Sequence, residues 1–221
     1  MLKKSNIPKH ILNILKDKRS MRNILLYNGD KELKNLLGII NTKVTAEKTN
    51  PIVNSFESIF AQCNKCDDII NKRHPLGSGN NRVMIILNEP RMINREEITK
   101  LKPESGELLR KMLLAINLEL NECYTTALIK CETSSILSKP SDMLKNCLHI
   151  LELEINSIRP NISIVMGEIL PLQKIVNSKK DITWFNIEHP VSLVKNPELK
   201  RSAWATLQLA SKRFLELKDG V

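Results

Sequence analysis

Four cysteines constrain this chain more than any other feature. Cys63 and Cys66 form a tight pair; Cys131 follows after sixty-four residues and Cys147 after fifteen more. Thiols spread this widely can share one centre only if the fold returns distant segments to a single point. Cys131 sits just past the apolar run that holds Leu128 and Ile129, and Cys147 falls on an expected helix. The spacing is not that of paired zinc knuckles, which bring two close pairs. It also lacks the consecutive run of bacterial ferredoxins. By charge and softness four thiolates suit either zinc or a cubane cluster, and the residues alone leave both open, with scattered core cysteines as the bland alternative. Cys123 stands apart and is expected to be an ordinary residue at a strand start.

The chain has 221 residues, enough for one sizeable domain and an extension, and 42% of them are hydrophobic, an ordinary globular share. Its formal net charge is +10. Such an excess favours an anionic partner, nucleic acid before a membrane surface. Residues 1–50 carry eleven Lys/Arg against four acids, so +7 of the +10 lies there. Ile11, Ile14 and Leu15 share one helical face, and Leu33, Leu36, Leu37 and Ile40 share another. This predicts a basic helical N-terminal extension and linker over 1–50, placed to meet phosphates or simply solvated, ahead of a domain over 51–221. No apolar run reaches the roughly 18 residues a membrane span needs. Ile11–Leu15 is too short, and too soon followed by Lys16–Arg19, for a signal peptide. A cytoplasmic, membrane-free monomer is therefore expected, and in that reducing compartment clustered cysteines favour metal over disulfides.

Beyond the extension, apolar runs and helical stripes alternate. Strands are expected at Arg82–Leu87, Tyr124–Ile129, Ile162–Met166 and Ile182–Ile187. Helices are expected at Gly106–Ile116, Pro140–Ile158, Glu168–Val176 and Pro197–Leu217, with Pro140 suited to a first turn. This is an α/β chain with a parallel sheet covered on both faces. Sites in such sheets lie beyond the carboxyl ends of the strands, which selects Leu87–Arg91, Lys130–Cys131, Gly167 and Glu188–Ser192.

With these residues in place, the chain resembles the family-4, iron–sulfur type of uracil-DNA glycosylase, from about Phe56 to about Leu217. Cys63-x-x-Cys66 and Gly77-Ser78-Gly79 leading into Val83–Leu87 follow the family's opening. Gly106-Glu107-Leu108-Leu109 resembles its Ala-Gly-x-Leu-Leu helix start. Lys130-Cys131 and Cys147 match its third and fourth cluster ligands, gap included. Met166-Gly167 matches its Leu-Gly. His189-Pro190 and Asn196-Pro197-x-x-Lys200-Arg201-x-x-Trp204 follow its closing segment. The resemblance implies a three-layer α/β/α sandwich with a four-stranded parallel sheet and a [4Fe-4S] cluster on Cys63, Cys66, Cys131 and Cys147. It also implies DNA as partner and removal of uracil from it.

The departures are as informative. The family's Gly-Glu-Ala-Pro-Gly is here Leu87-Asn88-Glu89-Pro90-Arg91, so the motif glutamate is Asn88 and both glycines are gone. The base-reading asparagine falls on Ala127 and the stacking phenylalanine near Leu101, and the arginine after the third cysteine is Glu132. Breaking a base–sugar bond needs an extruded nucleotide, donors for the charge that develops on the departing base, and a steered water. His189 suits the second task and Glu89 the third; Asn88 can position water but cannot act as a base. Pro90, Arg91, Leu101, Ala127 and Ser192 are the implied substrate-binding positions. Gly77–Gly79 is expected to turn against the cysteine loop rather than to hold a phosphate. Losing one well-placed donor costs ~3 kcal/mol, and losing a base-reading contact roughly 1–3 kcal/mol. The expectation is a glycosylase of weakened or altered activity. The alternatives are a catalytically inactive iron–sulfur DNA-binding protein that keeps the fold and, less favoured by the basic charge, an electron carrier.

Overall fold

The protein is described here by a computed structural model covering residues 60–90, 93–133 and 140–219, within the unit Thr49–Val221. The basic extension expected over 1–50 and the position Arg91 lie outside the described residues.

Four strands form the central sheet: β2 (Val83–Leu87), β3 (Tyr124–Ala127), β5 (Ile162–Met166) and β6 (Thr183–Ile187). All are parallel, in the order β3-β2-β5-β6. Two short strands, β1 (Ile69–Lys72) and β4 (Cys131–Thr133), pair antiparallel apart from it. The helices are α1 (Arg95–Leu114), α2 (Pro140–Ile158), α3 (Gln173–Ser178), α4 (Pro190–Lys195) and α5 (Lys200–Asp219).

Strand alternation divides the core into two layers. In β2, Val83 and Ile85 point one way, into a cluster with Leu109 and Leu113 of α1, Leu193 of α4, and Ala203, Leu207 and Ala210 of α5. Met84 and Ile86 point the other way, against Leu151 and Ile155 of α2 and Ile175 of α3. Helices α1, α4 and α5 therefore cover one face and α2 and α3 the other, the three-layer α/β/α sandwich expected. A buried strand must be apolar on both faces, which is why these strands read as continuous runs. Among the described residues no helix is long and apolar enough to cross a membrane.

Helix α2 and strand β5 keep the expected bounds; several other elements differ. Helix α1 begins at Arg95 rather than Gly106, with Asn94 Oδ1 accepting the Glu97 N–H at 2.8 Å and Glu96 and Glu97 in the first turn. Pro103 does not break it. That residue is exposed, so the bond its missing N–H forfeits is lost on the solvent side. The expected helix over Glu168–Val176 is a single 3₁₀ turn, Leu170–Leu172, running into α3. Residues 190–195, to which no element was assigned, form α4 with Pro190 in its first turn.

Candidate active site and cysteine centre

Register places the carboxyl ends of the four strands level. Leu87 pairs with Ala127 on one side and Met166 on the other, and Met166 pairs with Ile187. The row spans three inter-strand spacings, roughly 14 Å. The residues next in chain are Leu128, Asn88, Gly167 and Glu188, and one step further stands His189. Four of the segments selected from sequence thus meet along one edge of the sheet.

Gly167 closes the middle of that edge. Its φ is +116°, and a Cβ there would stand 2.1 Å from the carbonyl oxygen of Asn88. Its N–H donates to Ile187 O at 2.8 Å. Asn186 Nδ2 donates to Gly167 O at 2.6 Å and to Val165 O at 3.0 Å, a clamp that sequence reasoning missed. A polar residue just before the end of a strand was its only signal. Asn88, 7% exposed, donates its side-chain amide to Glu168 O at 2.9 Å. The side chain at the motif-glutamate position is therefore anchored to the neighbouring loop.

His189, 7% exposed, is the N-cap of α4. Its Nδ1 accepts the Val191 N–H at 3.2 Å. A ring nitrogen that accepts carries no proton, so the neutral imidazole holds its proton on Nε2. Burial pushes the pKa of His189 down to about 4; Glu89 acts to raise it and Arg73 to lower it. At neutral pH this imidazole is an uncharged donor through Nε2.

Glu89 is not the exposed loop carboxylate that a reading of the loop alone would suggest. Arg73 grips both its oxygens, Nη1 to Oε1 at 2.9 Å and Nη2 to Oε2 at 3.0 Å. Arg73 Nε also donates to Glu132 Oε1 at 3.2 Å. Ala127, partly buried, offers only a methyl group where the resemblance implies an amide. Leu101 sits partly buried in α1, within a helix rather than a loop, and Ser192 lies in α4. Pro90 is partly buried and its carbonyl accepts the Ile93 N–H at 3.4 Å.

The four cysteines converge from three segments. Pairing of β1 with β4 sets Lys72 opposite Cys131, which brings the chain just after Cys66 alongside that strand. Cys63 packs against Phe60 and Ile150, the latter one turn along α2 from Cys147. The Lys130 N–H donates to Cys147 Sγ at 3.3 Å, and Asn146 Nδ2 approaches Cys66 Sγ at 3.9 Å. Burial raises the Cys131 thiol to about 11, helped by the charges of Cys147, Cys66 and Cys63. Among the described residues, no three His, Cys, Asp or Glu stand close enough to share one metal ion. The donor set is all sulfur, soft chemistry that suits a zinc ion or an iron–sulfur cluster alike. Cys123 is fully buried beside Asn81, whose Nδ2 donates to its sulfur at 3.3 Å, outside the set.

The Gly77 turn sits elsewhere than expected. A Cβ on Gly77, φ +80°, would meet the carbonyl oxygens of Cys123 and Leu120 at 1.9 and 2.7 Å. The segment after Arg73 runs antiparallel along β3, from Arg73 N bonded to Lys130 O to Ser78 N bonded to Asn121 O. The glycines therefore turn at the amino end of β3, away from Cys131.

Beneath the site lies a buried polar network with no counterpart in the sequence reading. Lys130 and Glu154, each 1% exposed, pair at 2.5 Å. Thr126 Oγ1 and Tyr124 OH also bond Glu154, at 2.9 and 3.3 Å.

Comparison with known proteins agrees with this geometry. The family model described as the uracil DNA glycosylase superfamily matches residues 74–208, well over half of the chain. A relative named type-4 uracil-DNA glycosylase, from Archaeoglobus fulgidus, is 28% identical over 109 residues, 48% of this chain and 54% of that protein. That match spans about half the length of the relative. A four-stranded parallel sheet with its loops gathered at one edge, and a family model that spans them, lead to one statement: this chain belongs to the uracil-DNA glycosylase superfamily.

Proposed function

We propose that the protein is a DNA glycosylase of the family-4 uracil type, acting in base-excision repair on a base extruded from DNA, with uracil as first substrate. The observation that carries this reading is the neutral, buried His189, whose Nδ1 is occupied by Val191 and whose Nε2–H is left to donate. As the glycosidic bond breaks, its electron pair moves onto the base, and a donor at the departing base's oxygen offsets the developing charge. An uncharged donor does this without strongly binding an anionic ground state. Water then adds to the sugar carbon, and its proton leaves to solvent; the products are the free base and an abasic site. Glu89 steers that water through lone pairs that Arg73 does not occupy, and Asn88 positions it. Pro90, Leu101, Ala127 and Ser192 line the nucleotide's path, and Arg91, outside the described residues, is a further substrate-binding position by the resemblance.

Cys63, Cys66, Cys131 and Cys147 would hold a [4Fe-4S] cluster. Bound there, it would supply a covalent tie between three chain segments beside the site. The soft, all-sulfur donor set and the backbone N–H aimed at Cys147 Sγ support this.

A second reading, a non-catalytic iron–sulfur DNA-binding protein, draws on Asn88 and Ala127: the first spends its amide on Glu168 O, and the second has no polar atom to read a base. Incubation with single strands containing uracil, hypoxanthine or xanthine, beside a gel-shift assay, separates the two. Slow uracil release abolished by His189→Ala is expected. Binding without release on every substrate would establish the second reading.

A further inference from the structure

We propose that Arg73 is the positioning residue of the active site, holding the Glu89 carboxylate in place and tying the strand that carries Cys131 to the loop that carries Asn88 and Glu89. The inference rests on the reading of Glu89 given above and adds a residue that neither the motifs nor the family match single out.

Arg73 is fixed from every side. Its backbone N–H donates to Lys130 O at 2.7 Å, next to Cys131. Its two terminal nitrogens take one Glu89 oxygen each. Its third, Nε, takes Glu132 Oε1, and Lys102 Nζ approaches that same oxygen at 3.8 Å. Glu132 belongs to β4 and directly follows Cys131, in register with Asn71 of β1. A four-charge chain, Lys102–Glu132–Arg73–Glu89, thus runs from α1 through the cysteine strand to the catalytic loop. The side chains of Arg73, Glu89 and Glu132 are 22%, 33% and 28% exposed, so the ions are shielded but not sealed.

Geometry selects arginine for this task. A planar fork meets a carboxylate through two parallel bonds and fixes its plane; an ammonium is a point charge that fixes only a distance. With Nε, Nη1 and Nη2 all engaged by carboxylates, the guanidinium is committed within the protein rather than offered to a phosphate. Its charge also acts on His189, lowering the pKa of that imidazole where Glu89 raises it. Bidentate contact with Glu89 also leaves each oxygen a second lone pair for a water molecule.

The test uses the full chain with its metal content verified. Variants R73M, R73K, E89Q and R73M/E89Q are compared by single-turnover release of uracil from a single strand, by gel-shift affinity and by crystal structure. R73M is expected to slow release on the order of a hundredfold, the scale of a misplaced catalytic group, with affinity unchanged. R73K is expected to recover only part of the rate, and R73M/E89Q to be no slower than E89Q alone. Weakened affinity with the rate at saturating DNA retained would make Arg73 a phosphate contact and overturn the proposal, as would additive losses in the double variant. If the unaltered protein releases no base at all, the function reading fails separately. The structure of R73M, or of R73K should R73M not fold, still decides the positioning claim: a Glu89 carboxylate that keeps its place without the fork overturns it, and a displaced one supports it.

Discussion

Lys130 and Glu154 form an ion pair from which water is excluded, each side chain 1% exposed, with Thr126 completing the contact from β3. Glu154 lies two turns beyond Cys147 on α2, and Lys130 directly precedes Cys131. The pair therefore pins together the two elements that bear the third and fourth cysteines. Burial drives the Lys130 pKa down while Glu154 opposes it. A buried charge that loses its partner is costly, whereas replacing both by apolar groups is often neutral. Lys130→Met or Glu154→Gln alone should each lose about 3–5 kcal/mol. The double change Lys130→Met with Glu154→Leu should recover most of it. Urea unfolding of the three variants checks this; a double variant as unstable as either single one would show that the pair itself contributes net stability.

His189 makes stability depend on pH in a definite direction. Its folded pKa, about 4, lies below the ordinary imidazole value of 6.5, chiefly through burial. Between those values the unfolded chain binds a proton that the folded chain refuses, so stability falls as pH drops through the window and is unaffected above it. The loss by pH 4 is at most about 3 kcal/mol. His189→Asn keeps an acceptor for the Val191 N–H but cannot titrate. Its unfolding free energy should fall less than that of the unaltered chain between pH 7 and pH 4.5. Parallel curves for the two proteins would mean that the fold leaves the His189 pKa where the unfolded chain has it, and would overturn the burial effect.

How far the sequence carries can be read at particular residues. Ile162–Met166 and Pro140–Ile158 keep their expected bounds because each has a single physical signature, an unbroken apolar run and a proline-started stripe. The short strands β1 and β4 were invisible, since four residues such as Ile69-Ile70-Asn71-Lys72 or three such as Cys131-Glu132-Thr133 are too few to show a period. Nothing around Lys130 in the sequence signals its burial; its partner Glu154, seven residues past Cys147 on α2, explains it. His189 was legible as a residue but not as a tautomer, because that depends on a main-chain N–H two residues on. Glu89 was legible as a carboxylate beside the motif, while its clamp came from a segment with no motif of its own.

Gly167 should tolerate no side chain. An alanine there would have a φ that L-residues rarely adopt and a Cβ 2.1 Å from Asn88 O and 3.1 Å from Asn88 C. Both atoms are backbone, so relief requires the ends of β2 and β5 to part. Backbone strain of this kind costs about 1–3 kcal/mol, and the clash adds to it. Gly167→Ala should lower the melting temperature by several degrees and reduce base release beyond what stability explains. Gly79→Ala, with its nearest neighbours side chains at 3.1 Å or more and its turn at the opposite end of β3, is the control. It should lose stability to its own φ of +71° without a matching loss of release per folded molecule. If both variants release uracil equally well per folded molecule, the strand-end geometry around Asn88 is not part of the site.

The cysteines give the last prediction, and they give it by contrast. Cys63, Cys66, Cys131 and Cys147 are drawn from three segments and influence one another, whereas Cys123 is buried against Asn81. Four thiolates on the four irons of the proposed cluster would leave no spare ligand, so a serine at any one of the four should abolish or destabilise cluster loading. Cys123→Ser places a hydroxyl where Asn81 already donates and leaves the four-thiol set whole. Protein prepared without oxygen should be brown and iron-loaded in the unaltered form and in Cys123→Ser, and should lose colour and iron in Cys131→Ser or Cys147→Ser. The half-buried pair should behave alike, with Cys63→Ser and Cys66→Ser losing iron fastest in air because solvent reaches them first. Zinc at one equivalent in place of iron would show that the four thiols hold a single ion and not a cluster.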